Sequence, residues 1–411
     1  MKLSVATNFE PDLLRALEGY PVAELFGKLP SDSVGGGRAS FMLAPLSKAR
    51  FTAHVRDAAR RGIGFNYLLN PACMDNREFI RKGQAELESL LGFVEESGAT
   101  SVTVSLPFLL PIIKKRHPRL RVRVGVYARV DCVAKARFWE DLGADCITLE
   151  SITINRDFAM LRSIREAVGL ELQLIANSNC LIFCPLSGQH MVNLSHASQQ
   201  GHASRGFMID YCALKCSALK LADPSHYLRS EFIRPEDLKA YTDLGFSSFK
   251  ILERGAPTDV LARRVRAYAE GRFDGNLLDL IQPYGYKTDS RKGGGPLDVR
   301  RFVRFFFRPM AVRQAGLLRL KRLAEKRGLV AGLQWDPVYI DNRLLDGFLD
   351  GLREIDCRSS DCSRCGYCER WTSRAVRVDE RYRQEMSQLY QEAFHDMYSG
   401  ALWGMAGRRG E

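Results

Sequence analysis

Short runs of consecutive apolar residues alternate along this chain with longer stretches whose apolar positions recur every three or four residues. The runs read as strands and the stretches as amphipathic helices. Strands are expected at Leu3–Ala6, Val22–Phe26, Ile63–Tyr67, Ser101–Val104, Val122–Val126, Cys146–Leu149, Leu172–Ile175 and Ser248–Ile251. Helices are expected at 11–17, 46–61, 77–97, 133–142, 157–168, 235–244 and 257–270. Gly62, Gly98, Gly143, Gly169 and Gly245 each stand between a helical stretch and a strand, where a left-handed helix stop belongs. Repeated strand–helix units of this number and length predict an α/β fold, a TIM-type (β/α)8 barrel. A doubly wound open sheet is the alternative, and no Gly-x-Gly-x-x-Gly follows the first strand to favour it.

Beyond this region the pattern changes, which sets the expected domains at 1–285 for the barrel and 286–411 for a mainly helical, cysteine-containing C-terminal appendage. A linker is expected at 292–296 and a basic helical region at 300–326, broken at Pro309. An extended segment at 334–340, a helix at 342–355 and a closing helix at 380–398 follow.

The chain has 411 residues and eleven cysteines, eight of them in two sets. Cys180, Cys184, Cys212 and Cys216 form two C-x3-C pairs after the seventh strand, a spacing suited to an iron–sulfur cluster on four thiolates. Cys357, Cys362, Cys365 and Cys368 form a tighter run, suited to a second cluster or a structural zinc. Disulfides are the competing account. The N-terminus shows no apolar signal core and no stretch suits a bilayer span, so a cytoplasmic setting that favours metal over disulfide is expected. Cys73, Cys132 and Cys146 are scattered and read as buried small hydrophobes.

The net charge of +12 is unevenly spread. Between Asp289 and Arg327 there are twelve Lys/Arg against three Asp/Glu, a block that favours an anionic partner. Phe305, Phe306 and Phe307 among arginines suit base stacking on RNA, while Leu317, Leu318, Leu320 and Leu323 form a stripe that suits packing or a lipid surface.

Barrel chemistry sits at the C-terminal ends of the strands. That rule selects Arg129, Glu150, Asn177, Lys250 and Glu253 as candidate catalytic residues: the carboxylates for proton transfer or positioning, Lys250 or Arg129 for an anionic group. Internal barrel salt bridges are the alternative role for the charged ones. Gly35–Gly37 lacks the Lys-Ser/Thr of a phosphate loop and reads as a mobile lid; His190, His196 and His202 read as solvated loop residues.

The stretch from Leu172 to Gly255 resembles the collagenase-like peptidase family (unknown-type peptidase family 32). The likeness rests on the run into Cys180, on Asp210-Tyr211-Cys212 to Cys216, and on Phe249-Lys250-Ile251 with Glu253, Arg254 and Gly255. Thr148-Leu149-Glu150-Ser151 resembles a further family element. The resemblance implies a 4Fe-4S cluster on Cys180, Cys184, Cys212 and Cys216. It also implies an oxygen-independent hydroxylase, as in ubiquinone biosynthesis or RNA-base modification, with an organic oxygen donor and an electron-donor protein. The substrate would be a small or lipid-like aromatic molecule, or RNA. Leu252 is inserted and Gly and Arg exchange order relative to the family's element, so fold and cluster carry over better than substrate. A non-catalytic electron-transfer or accessory subunit is the rival function. A peptidase is a further one, for which no Gly-x-Ser-x-Gly or zinc-protease spacing appears.

Overall fold

The computed structural model describes residues 1–281, 306–308, 310–329, 333 and 335–405. The linker expected at 292–296, Phe305 and Pro309 lie outside the described residues. The chain groups into two units, one of residues 1–208, 230–274 and 346–365, the other of 209–229, 275–345 and 366–411.

The first unit contains a closed barrel of eight parallel strands in sequential order. They are β1 (Lys2–Ala6), β2 (Val22–Gly27), β3 (Gly64–Leu69), β4 (Ser101–Val104), β5 (Arg121–Val124), β6 (Cys146–Thr148), β7 (Glu171–Ile175) and β8 (Ser248–Ile251). β8 closes on β1, with Ser4 opposite Lys250. The expected (β/α)8 barrel is therefore present, strand for strand. The helix Leu109–Arg116 between β4 and β5 is an addition to the expected list.

The outward faces of the strands meet the helices through Leu, Val, Ile and Phe. The interior departs from the usual apolar filling. Glu24 on β2 accepts from Ser4 on β1 (2.8 Å), Ser101 on β4 (2.9 Å) and Arg123 on β5 (3.2 Å). One carboxylate reached from three other strands lies inside the barrel. Thr148 donates to Gln173 (3.0 Å), which donates to Ser248 (3.1 Å). These polar groups are buried and pair largely with one another, with Arg123 Nε left without a partner among the described residues.

In the second unit, helix Tyr211–Ala222 packs with Glu380–Tyr398, which also meets Gln314–Lys326. The closing helix has the expected bounds. Two short antiparallel strands follow, β9 (Val338–Ile340) and β10 (Val376–Val378). The helix expected at 342–355 is instead a short 3-10 turn, Asn342–Leu345, in this unit and a helix, Phe348–Leu352, in the first unit, after Gly347 (φ 83°).

Candidate functional site

The C-terminal mouth of the barrel carries a buried charged cluster. Lys28, just past β2, pairs with Asp32 at 2.8 Å, and both are almost fully buried. Asp32 also accepts from the Tyr67 hydroxyl (2.7 Å) and from Gly35 N–H (2.7 Å) and Val34 N–H (3.1 Å). Burial pushes Lys28 down to about 8 against the pull of Asp32.

Those contacts fix the Gly35–Gly37 loop. Gly36 N–H donates to Ser198 Oγ (2.8 Å), Ser198 Oγ donates to Gly36 C=O (3.1 Å), and Gln199 donates to Val34 C=O (3.2 Å). Gly35 has φ +86°, and a Cβ there would lie 2.9 Å from Ser195 C=O. The loop read from sequence as a mobile lid is thus buried and hydrogen-bonded under the helix Ser187–Ser198. The histidines read as solvated loop residues are also placed differently: His190 and His196 lie on this helix, His202 lies in the loop after it, and all three are half-buried. His196 stacks on His202 at 4.3 Å.

Lys250 on β8 is buried with its ammonium 4.2 Å from the Phe26 ring centroid. Burial and the nearby Arg123 push it down to about 8, against Glu24. Arg254 is also buried; burial and Arg38 push it down to about 10, and its Nη1 meets no acceptor among the described residues. Glu253 pairs with Arg38 from a left-handed backbone (φ 114°). Burial raises its pKa, but Arg38 and Arg264 prevail and hold it below the usual carboxylate value. Among the described residues, the mouth sets Lys28, Arg38, Lys250 and Arg254 against Asp32 and Glu253, an excess of buried positive charge.

The other sequence-selected residues fall in two places. Asn177 spans the ends of β7 and β8, accepting from Leu252 N–H (2.6 Å) and donating to Leu252 C=O (3.2 Å). Its amide is a brace between strands. Glu150, after β6, has a fully buried side chain and accepts from Arg129 Nε (3.1 Å) and Thr153 (3.3 Å). Burial raises the Glu150 pKa, with Arg129 opposing. Sequence reasoning missed Lys28, Asp32 and Tyr67 as mouth residues. The four-residue spacing of Lys28 and Asp32 directly after a strand was the available signal.

A cavity of about 220 Å³ opens at the N-terminal end of the barrel beside Glu24, Arg123, Cys146 and Glu171. It is an opening onto the interior polar network, at the end that barrel enzymes do not use for chemistry.

All eleven cysteines are outside disulfides. Cys180 and Cys184 lie on the loop after β7, and Leu181 makes an isolated antiparallel bridge to Ser230. Cys212 and Cys216 occupy the first turns of helix Tyr211–Ala222, one turn apart on one face; Asp210 caps it by accepting from Ala213 N–H (2.9 Å). The first pair belongs to the first unit and the second to the second. Each pair offers two thiols of the type a thiolate cluster needs, so the donor chemistry fits that group. Among the described residues, no three His, Cys, Asp or Glu groups form a closed metal cage. Cys362 and Cys365 bound a short helix, and Cys357 precedes it. Among the described residues no helix is long and apolar enough to cross a membrane.

Residues 41–274 match the model of Peptidase family U32. An uncharacterized protease of Methanocaldococcus jannaschii is 30% identical over 348 residues, covering 84% of this chain and 86% of that protein. A solved U32 peptidase structure is 21% identical, with a TM-score of 0.48, and covers 62% of this chain and 93% of that one. On the match of the family model and the likeness along most of its length, the chain belongs to peptidase family U32.

Proposed function

We propose that this protein is an iron–sulfur-dependent, oxygen-independent hydroxylase acting in the cytoplasm on an anionic aromatic, lipid-like or RNA-base substrate. The observation that carries the proposal is the thiol pair Cys180 and Cys184, on the loop that leaves the catalytic end of β7 and outside any disulfide. Cys212 and Cys216, one turn apart on their helix, would complete a four-thiolate set. A 4Fe-4S cluster bound there would supply one-electron chemistry, fed by an electron-donor protein.

The chain's own residues fit the remaining tasks. Lys250 and Arg254 supply buried positive charge for an anionic group of the substrate or of an organic oxygen donor. Arg129 is committed to Glu150, which makes Lys250 the better anion-holding residue of the two. Glu150 suits proton movement because burial and Arg129 act on its carboxyl in opposite directions. Glu253, held ionised by Arg38, suits positioning.

The test is anaerobic purification with iron and sulfide analysis, expected to give about four of each at this set. Cys180→Ala or Cys212→Ala should remove cluster and activity together. Reconstituted protein carrying zinc alone there, or product that forms only when oxygen gas is supplied, would sink the reading.

A peptidase reading has one specific observation in its favour: Thr7 Oγ1 lies 2.8 Å from His54 Nε2 at the end of β1. Both are buried, and Phe9, itself packed on Phe51, lies with its ring centroid 5.1 Å from that of His54. Burial pushes His54 down to about 4. A neutral imidazole against a sealed hydroxyl suits a brace better than a nucleophile open to a peptide. Cleavage of casein by metal-free protein, lost in Thr7→Ala, would reverse that preference.

A further inference from the structure

Glu231 is a carboxylate, 1% exposed, beside one of the proposed cluster ligands. Burial raises its pKa, and among the described residues no Lys, Arg or His lies within ion-pair distance of it. A buried carboxylate without a cation is costly unless its oxygens serve hydrogen bonds. Its carboxylate partners lie on the stretch that carries Cys180 and, through Ser151, on the turn after β6.

Glu231 N–H donates to Cys180 C=O at 3.2 Å, and Cys180 N–H donates to Glu231 Oε1 at 3.3 Å. Both main-chain polar groups of Cys180 are therefore held by one residue. Ser151 and Ser178 hydroxyls also face the carboxylate, and Ser178 Oγ is 3.7 Å from Cys180 Sγ. Glu231 is itself anchored: Asn155 Nδ2 donates to Glu231 C=O (2.8 Å) and to Ile175 C=O at the end of β7 (2.9 Å). The Leu181–Ser230 bridge continues the pairing by one residue. The chain runs from a rigid strand through Asn155 and Glu231 to an exposed thiol.

We infer that Glu231 is a positioning residue for Cys180, bracing its backbone so that the thiol is presented in one orientation for metal ligation. The inference rests on the cluster reading for the purpose of the brace, and on hydrogen bonds alone for the brace itself. A loop cysteine with both backbone groups tied loses less conformational freedom on ligation, the general advantage of a preorganised ligand.

The test compares wild type, Glu231→Gln and Glu231→Ala as full-length protein prepared anaerobically. Amide hydrogen exchange at Cys180 is measured in the iron-free form, and iron per chain after reconstitution. The glutamine keeps an acceptor oxygen, so its exchange and iron content should stay near wild type. Alanine removes the acceptor, and Cys180 amide exchange should rise about tenfold, the equivalent of one hydrogen bond, with a fall in iron. Wild-type exchange in Glu231→Ala, or loss of iron to the same degree in both variants, would overturn the inference. Should the alanine variant fail to fold, the wild-type Cys180 amide decides, since exchange at the speed of an open loop would also overturn it. Wild type that takes up no iron, with the Cys180 amide still released in Glu231→Ala, would sink the cluster reading and leave the brace standing.

Discussion

Arg129 reaches Glu150 across 3.1 Å from a left-handed backbone (φ 54°), and the carboxylate it meets is wholly buried while the guanidinium is half-exposed. A buried carboxyl beside a solvent-facing cation is held between its neutral and ionised forms. Burial raises the Glu150 pKa, and Arg129 limits the rise. Removing the cation favours the neutral acid, so Arg129→Ala should raise the pKa further. If turnover needs the carboxylate, the acidic limb of the anaerobic pH–rate profile moves to higher pH, and Glu150→Gln abolishes that limb. The stability sign follows from the raised pKa. The folded state binds the extra proton, so this group's contribution falls as pH climbs from the ordinary carboxylate value through the raised one. A profile unchanged in Arg129→Ala would remove Glu150 from the reaction.

Lys250 faces an aromatic ring with its pKa pushed down to about 8, close to Arg254 at about 10. Anion affinity at the mouth should therefore weaken as pH rises through about 8, when Lys250 loses its charge. Lys250→Met should raise the Kd for a small dicarboxylate such as succinate by about tenfold or more, since a charge-assisted contact contributes roughly 1.5–3 kcal/mol. Calorimetry across this pH range checks both statements. Affinity that is flat with pH and indifferent to the substitution would place the anion elsewhere.

Lys28 and Asp32 are buried together, with Tyr67 and two backbone N–H groups completing the carboxylate's shell. Removing one member strands the other, so Lys28→Met should destabilise by about 3–5 kcal/mol in denaturant unfolding. Lys28 also has a depressed pKa of about 8 against an ordinary 10.5. Between those values the unfolded chain binds the additional proton, so the wild-type contribution from this lysine rises with pH over that interval. The methionine variant should lose that slope.

The barrel was legible because eight short strands, each with an apolar helix-facing side, alternate with amphipathic helices, several of them ended by glycine. Leu109–Arg116 carries little sequence signal because it is short and Pro107 and Pro111 punctuate it. Helix Ser187–Ser198 is rich in Ser, His and Gln, so its period is weak; its register is set by contacts with the Gly35–Gly37 loop. The same contacts turned an expected lid into a buried layer. Of the site, Lys250 and Glu253 were readable from position at a strand end. Asp32, Tyr67 and the partners of Glu24 were not, since their pairing depends on residues 20 to 99 positions apart.

Glu253 holds φ 114°, a conformation that side chains with a Cβ rarely adopt, while its carboxylate meets Arg38. Strain at a strand end that faces the mouth is a mark of a residue kept for function rather than stability. Glu253→Gly should be more stable than Glu253→Ala by about 1–2 kcal/mol, because glycine adopts this backbone without a Cβ penalty. Both variants should lose turnover, and Glu253→Gln should lower turnover while leaving the iron content intact. Equal stability of the glycine and alanine variants in thermal unfolding would remove strain from the account.

Of the C-terminal cysteines, Cys357, Cys362 and Cys365 belong to the first unit and Cys368 to the second. Arg358, next to Cys357, lies 5.7 Å from the ring centroid of Phe183, which stands between Cys180 and Cys184. Asp356 and Asp361 shape the run, accepting from Arg358 N–H (3.0 Å) and Ser363 N–H (2.9 Å), and Cys362 and Cys365 fall within one turn. Four cysteines in so short a segment suit one metal centre, and a second iron–sulfur cluster, were it bound there, would have a use that zinc lacks: passing electrons toward a cluster on the loop after β7. Cys365→Ala should therefore lower iron by about half while Cys180 and Cys184 keep theirs. The slow reduction of the remaining iron by an external donor should accompany it. Full wild-type iron in Cys365→Ala, with zinc lost instead, would make this site structural.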